Sequence, residues 1–307
     1  MFFVPKVCSN SMKLGLVTVL YRNKSLLDDF FSSLSSQYLD FELVLVDNSN
    51  DNSVTLDYAI ELANAFNISY TPIQNHDNLG VAEANNIGIS SLLSRGFEYI
   101  LLLNYDIVFG PDVIASLLSS LQSSHFYVAS PKIFYHGSNL LWQAGGGFST
   151  ITGLPYHNGE NMPNSPIFSS NKLFSNSSTC FTMFKSSIFH TVGLFDPHYF
   201  VYYDDSDWFL RFSRLGYNLI YISSVHIYHK VSVSTGGSLS DFSVFYSARN
   251  LVYYYVKHYT SFRLFLYLLL LLLRLFVLPI KSRNLSLYNP IIAGITSSFS
   301  LLKGFSK

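Results

Sequence analysis

Charge is scarce in this chain: Lys, Arg, Asp and Glu make up 12% of its 307 residues, and the formal net charge is zero. So few cations, matched by as many anions, exclude nucleic-acid binding over the whole surface. Cysteine is nearly absent; Cys8 and Cys180 fit no metal-ligand spacing, and one possible pair makes no disulfide framework. Met1 to Lys6 show no basic-then-apolar leader, so a cytoplasmic location is expected. Apolar and aromatic residues fill the space instead, with 49% hydrophobic residues, 27 Phe and 22 Tyr. A chain of this length and make-up can bury one large core and still carry an appendage.

Acidic residues are missing altogether after Asp241, where Arg249, Lys257, Arg263, Arg274, Lys281, Arg283, Lys303 and Lys307 remain. The tail is therefore +8, and residues 1–241 carry the compensating −8. An acidic body with a basic, Leu-rich tail points to an anionic membrane surface as a partner.

Buried-strand runs at Leu14–Leu20, Phe41–Val46, Ile68–Ile73 and Tyr99–Leu103 alternate with helical spacing at Ser25–Gln37, Tyr58–Phe66 and Val81–Ser94. That alternation predicts a parallel sheet in three layers. Further on come a helix at Val113–Leu121, strands at Tyr127–Phe134 and Asn218–Ile222, and a Gly-, Ser- and Asn-rich stretch from Gly145 to Ser178. That stretch reads either as loops over a site or as a surface excursion.

Chemistry-bearing residues gather where strands end. The run Ile100-Leu101-Leu102-Leu103 stops at Asn104-Tyr105-Asp106, and the carboxyl end of such a strand is where α/β sheets collect ligands. Asp106 there suits a divalent cation bound through hard oxygen ligands, or simply ends the strand in a polar turn. Asp47 closes the second strand, where it can accept from a pyrimidine N–H or a ribose hydroxyl, or make an Asx turn. Asn78-Leu79-Gly80 opens a helix where backbone amides can meet a ligand, although the Gly spacing is not a dinucleotide fingerprint. Tyr202-Tyr203-Asp204-Asp205-Ser206-Asp207-Trp208 crowds three carboxylates between aromatics. Crowding and an apolar surround raise at least one pKa, as a general base requires, while the same acids suit a helix start. His226 and His229 follow the last strand, and either can complete a metal site.

In order along the chain, these segments resemble the inverting family-two glycosyltransferases of GT-A fold, especially their rhamnosyltransferase-like branch. The resemblance runs from Val17 to about Lys257 and rests on the whole ordered set. Its pieces are Tyr21-Arg22 after the first strand, Val46-Asp47-Asn48-Ser49, Asn78-Leu79-Gly80 with Asn86-Ile87-Gly88, and Asn104-Tyr105-Asp106. Then follow Trp142-Gln143-Ala144-Gly145-Gly146, Gly193-Leu194-Phe195-Asp196, Asp204-Asp205-Ser206-Asp207 with Arg211, His229, and Arg249-Asn250. The resemblance implies a Rossmann-like, mostly parallel sheet with a helical C-terminal tail. It makes Thr18, Tyr21, Arg22, Asp47, Asn78, Gly80, Asn86 and Asn104 the nucleotide-sugar contacts, with Asp47 on the base. Asp106 and His229 would hold Mg²⁺ or Mn²⁺, and Asn104 replaces the first carboxylate of the family's Asp-x-Asp motif. Asp205 would deprotonate the acceptor hydroxyl beside Asp204, while Trp142, Gly193, Phe195 and Asp207 would face the acceptor.

The implied reaction is inverting transfer of a hexose or deoxyhexose, with rhamnose favoured, from a dTDP- or UDP-linked donor. The acceptor would be a cell-surface polysaccharide or lipid-linked oligosaccharide, at the cytoplasmic face of the inner membrane. The expected division is an extension at 1–12, a catalytic domain at 13–240 with halves meeting at 110/111, and a basic apolar helical region at 241–307. Within that region Ser261–Ile280 is read as an in-plane anchor, then as a helix packed on the catalytic domain, then as a span. Arg263, Arg274 and Lys281 form one basic stripe on it. Asn289–Gly304 adds a further helix. A nucleotidyltransferase and a catalytically impaired sugar-binding scaffold are the alternatives. The first would need a basic, Gly-rich loop after the first strand, and the second is encouraged by Asn104.

Overall fold

The structure, a computed structural model, describes residues 13–231 and 239–303. The expected extension 1–12 with Cys8, the terminal Gly304 and Lys307, and the side chain of Arg274 lie outside the described residues.

The first half follows its periodicity. β1 (Leu14–Leu20), α1 (Leu27–Ser35), β2 (Glu42–Asp47), α2 (Val54–Ala65), β3 (Tyr70–Gln74), α3 (Gly80–Ser94) and β4 (Tyr99–Leu103) alternate in order. On α1 the buried residues Leu27, Phe30, Phe31 and Leu34 recur at helical spacing and seal one side of the sheet against Leu14, Leu16, Leu43 and Leu45. Each such side chain contributes about 1.5–3 kcal/mol by burial. On the other face Val17, Val44 and Val46 meet α3. Gly88 makes that approach possible, since a Cβ there would lie 2.3 Å from Val17 Cγ1. Helix α2 begins four residues before the expected Tyr58, because Asp51 accepts from the Thr55 hydroxyl at 2.6 Å and stabilises the first turn.

The second half contains β5 (Ile107–Phe109), α4 (Val113–Gln122), β6 (Val128–Tyr135), β7 (Leu141–Gln143), β8 (Gly146–Phe148), β9 (Pro155–His157), β10 (Lys172–Phe174) and β11 (Phe181–Lys185). α5 (Ile188–Val192), α6 (Asp204–Arg214) and β12 (Leu219–His229) complete the sheet domain. α7 (Asp241–His258), α8 (Ser261–Lys281) and α9 (Tyr288–Lys303) form the tail.

The main sheet runs β10-β12-β6-β11-β4-β1-β2-β3, with β5 on β12 and β7 on β6. It is mixed, with most of the parallel pairs gathered in its first half. β1, β2, β3 and β4 pair in parallel, but β11 inserts antiparallel between β4 and β6. β11 is short and lies beyond the Gly145–Ser178 stretch, so no periodic signal marks its direction. That stretch itself holds the β8–β9 hairpin and β10. β12 continues past the expected Ile222 to His229 through a register shift against β6, so both histidines lie within the strand. α7 packs against α9 and buries Tyr253, Tyr254 and Tyr255 against Tyr199 and Leu210 of the sheet domain.

Candidate active site

Parallel pairing of β1 with β2 and β4 brings three strand ends to one edge, where Leu20 stands beside Asp47. Short polar ties hold the edge together. Arg22 donates its amide to Ser49 Oγ at 3.0 Å and its Nε to the Ser49 carbonyl at 2.8 Å. Tyr105, the spacer between Asn104 and Asp106, donates its hydroxyl to the Tyr21 carbonyl at 2.7 Å. Sequence reasoning passed over Tyr105. Its buried ring between two polar residues was the available signal. Asp47 is 1% exposed, and its Oδ1 accepts the Ser49 amide at 2.9 Å, so the Asx turn forms at the strand end. Thr18 is fully buried within β1 and presents nothing to a ligand; its hydroxyl finds no hydrogen-bond partner among the described residues.

β5 starts immediately after Asp106 and pairs antiparallel with the end of β12, setting His229 opposite Ile107. The Lys230 amide donates to the Asp106 carbonyl at 2.8 Å and closes the pair. His229 Nε2 thereby stands 3.2 Å from Asp106 Oδ1, and Trp142 meets the imidazole edge-on at 4.7 Å. Asp106 Oδ1 nonetheless has no hydrogen bond among the described residues. Two donor atoms at this spacing without a hydrogen bond suit adjacent vertices around a small octahedral cation, about 3.0 Å apart for bonds of about 2.1 Å. His226 faces the other side of β12, exposed, so His229 is the histidine beside Asp106. Asn104 is exposed and gives only its amide, to the Cys180 carbonyl at 2.9 Å. Among the described residues no group of three or more His, Cys, Asp or Glu is gathered as a metal site. The pair fits a cation that takes most of its oxygens from a ligand.

The second cluster opens α6. Tyr202 and Tyr203 both adopt left-handed backbone, with φ of 65° and 66°, a costly conformation for aromatic residues. α7 imposes it: buried Asn250 donates Nδ2 to the carbonyls of Val201 at 2.6 Å and Tyr202 at 3.0 Å. The turn aims Asp204 and Asp205 back toward β11. Asp205 Oδ1 accepts the Ser206 amide at 2.6 Å, and its carboxylate also accepts the Thr179 amide. Burial pushes both carboxyls above the ordinary range, and the charge of Asp205 pushes Asp204 further. Donors from Ser206 and Thr179 favour ionised Asp205, so Asp204 is the member that keeps a proton. Thr179 and Cys180 link the two clusters, since the Thr179 amide donates to Asp205 and the Cys180 carbonyl accepts the Asn104 amide at 2.9 Å, and burial with the charges of Asp106 and Asp205 pushes the Cys180 thiol up. Arg249 beside Asn250 reaches the His198 carbonyl at 2.9 Å and lies over Tyr246.

Several expected ligand contacts are internal ties instead. Asp207 is fully buried, with Oδ2 on Arg211 Nε at 2.9 Å and Oδ1 on Lys257 Nζ at 2.6 Å and His258 Nε2 at 2.7 Å. Burial alone would raise its pKa, but the His258 hydrogen bond and the Lys257 and Arg211 charges hold it well below the carboxylate range. It joins α6 to α7 and is not offered to an acceptor. Phe195 is 2% exposed in the core, and Asn86 brackets its backbone, accepting its amide and donating to its carbonyl at 2.9 Å each. The Asn86 amide is therefore taken up by the Phe195 backbone. The Gly193 carbonyl accepts Trp208 Nε1 at 2.8 Å. The helix start at Gly80 is closed as well: Asn78 Oδ1 accepts the Gly80 amide at 3.0 Å, and the Phe200 carbonyl accepts the Val81 amide at 2.7 Å. Gly80 has φ +82°, and a Cβ there would lie 2.4 Å from that carbonyl, so glycine serves packing at this position.

Comparison with known proteins gives the family and the fold. The low-salt glycan biosynthesis hexosyltransferase Agl10 of Haloferax volcanii is 24% identical over 242 residues, covering 77% of this chain and 73% of its own length. The mannosyltransferase PcManGT of Pyrobaculum calidifontis, solved with GDP-Man and Mn²⁺, superposes with a TM-score of 0.56 at 13% identity, covering 96% of this chain and 76% of its own. GalNAc-T7, solved with UDP, GalNAc and Mn²⁺, gives a TM-score of 0.58 at 15% identity over 78% of this chain. The chain spans about half of that protein, 48%. At such identities the structural likeness shows a shared GT-A fold. The family model for glycosyl transferase family 2 matches residues 16–193, more than half of the chain, and the chain belongs to that family.

Proposed function

We propose that the protein transfers a hexosyl or deoxyhexosyl group from a nucleotide-diphosphate sugar to a hydroxyl of a glycan or lipid-linked acceptor, with inversion. The observation that carries this is the unbonded Asp106–His229 donor pair set across Cys180 from the buried Asp204–Asp205 pair. Asp106 and His229 would hold Mg²⁺ or Mn²⁺; when bound, the ion neutralises the charge that develops on a leaving diphosphate. Asp47 accepts from the base or ribose through the oxygen that Ser49 leaves open, and Tyr21 and Arg22 flank it. Asp205 takes the proton of the attacking hydroxyl, and Asp204, protonated, keeps like charge off that base. A single in-line displacement inverts the anomeric centre.

A hexose agrees with Agl10 being a hexosyltransferase, and a dTDP-linked deoxyhexose with the rhamnosyltransferase-like motifs. The tail supports action at the cytoplasmic face of a membrane. Segments 262–281 and 285–303 are long and apolar enough to cross one. α8, however, packs Tyr267 and Leu271 toward α7 and exposes Phe262, Phe265, Leu269, Leu272 and Leu273. With Arg263 and Lys281 exposed at its ends, this favours a helix lying in an anionic interface.

The test is nucleotide release from a panel of UDP-, GDP- and dTDP-sugars, with and without Mn²⁺, on wild type and Asp205→Asn. Metal-dependent release from one donor, lost in the variant, is expected. No turnover of any donor, or an unaffected variant, refutes the reading.

A further inference from the structure

On the face of β6 and β12 opposite His229 lies a cleft apart from the Asp106–His229 and Asp204–Asp205 pairs. Its walls are set by strand register, which pairs Lys132 with His226 and Phe134 with Tyr228. Phe134 and Tyr228 stack at 5.7 Å with 28° between planes, and His226 stands edge-on to both. Two adjoining cavities of about 190 and 380 Å³ open here and share Phe134, Asn164 and Tyr228. The larger falls within the size range of ligand pockets, roughly 300–1,000 Å³.

Lys132 forms one wall of the smaller cavity at 5% exposure, and its ammonium donates to a single oxygen, Asn164 Oδ1, at 3.1 Å. No carboxylate lies within ion-pair distance of it among the described residues. A buried cation without an anion is unfavourable, and burial lowers the Lys132 pKa accordingly. An anion from outside the chain would relieve that cost while keeping the ammonium charged. The aromatic walls further select a ligand with an apolar ring face, which inorganic phosphate lacks and a pyranose has.

We infer that the Lys132–Phe134–Asn164–Tyr228 cleft binds an acidic sugar, the carboxylate of a hexuronic acid seated on Lys132 and its ring on Phe134 and Tyr228. As a subsite for a glycan acceptor it rests on the transferase reading above. As a binding site it stands alone, so the test reads binding and not transfer.

Isothermal titration calorimetry on the full chain, with glucuronate, glucose and inorganic phosphate as separate probes, decides it. Glucuronate is expected to bind at least tenfold more tightly than glucose or phosphate. Lys132→Met should weaken it at least tenfold and Asn164→Ala several-fold, while Asp205→Asn leaves it unchanged. Asn164 is exposed, so its variant decides the matter even if Lys132→Met does not fold. Equal binding of glucose or of phosphate, insensitivity to both cleft variants, or loss in Asp205→Asn would overturn the assignment.

Discussion

Replacing Asp204 by Asn should make the protein more stable and less active, and the gain should depend on pH. Asp204 is 5% exposed, and burial, then repulsion from Asp205, raises its pKa to about 8. In the unfolded chain an Asp titrates at about 3.9. The folded state therefore keeps a proton that the unfolded state has released. The penalty is absent below about pH 4, grows as pH rises, and levels off above the folded pKa. At pH 7 it amounts to at most about 4 kcal/mol, from about 1.4 kcal/mol for each unit between the unfolded pKa and pH 7. A buried Asn amide retains part of the desolvation cost, so about 2–3 kcal/mol should be recovered. Urea unfolding of both proteins at pH 4, 5.5, 7 and 8 measures the gap. It should be near zero at pH 4 and largest at pH 8. A gap that does not vary with pH, or a variant less stable at pH 8, would refute the reasoning. A gain in stability alongside slower transfer is the expected trade at a site built from strained, repelling groups.

Three other outcomes follow from the same geometry. Asp106→Ala should lower metal-dependent donor turnover at least a hundredfold and Asn104→Ala less than tenfold, since only Asp106 stands beside His229; steady-state rates across a Mn²⁺ titration compare them, and equal losses would count against the assignment. Asp207→Asn should cost about 3 kcal/mol at pH 7 by leaving Lys257, Arg211 and His258 around a neutral group. Because that carboxylate's folded pKa is depressed, its contribution is full above about pH 4 and fades as pH falls below it, so the denaturation difference should shrink in acid. Gly80→Ala should destabilise by about 2 kcal/mol or more, from the left-handed backbone and the Phe200 carbonyl it would meet, as read by thermal melting.

The parallel strands, the helices between them and the convergence of Asp47 with Asp106 were legible because each depends on local periodicity and on one rule of parallel sheets. What was not legible depends on partners far along the chain. In Asp204-Asp205-Ser206-Asp207 three carboxylates look alike, and helical spacing offers Asp207 as readily as the others. Lys257 and His258 make the difference, arriving from α7 about fifty residues later to neutralise Asp207, while Asp204 and Asp205 take no cation among the described residues. Asn250 acts at the same range, holding the strained Tyr202–Tyr203 turn from which the pair projects. His226 and His229 are separated by strand parity alone, hidden until the length of β12 and its bulge are known. The base role proposed for Asp205 thus rests on its contrast with Asp207: one helix supplies both carboxylates, and among the described residues α7 supplies cations to Asp207 and none to Asp205. Moving the cations of α7 should therefore alter the base without touching it. Lys257→Met removes a charge shared by Asp196 and Asp207, at 2.5 and 2.6 Å, and leaves the Asp207 anion less compensated beside Asp204. The acidic limb of the pH–rate profile should then shift upward while the KM for donor stays within about twofold. An unshifted limb would show that α7 only braces the site.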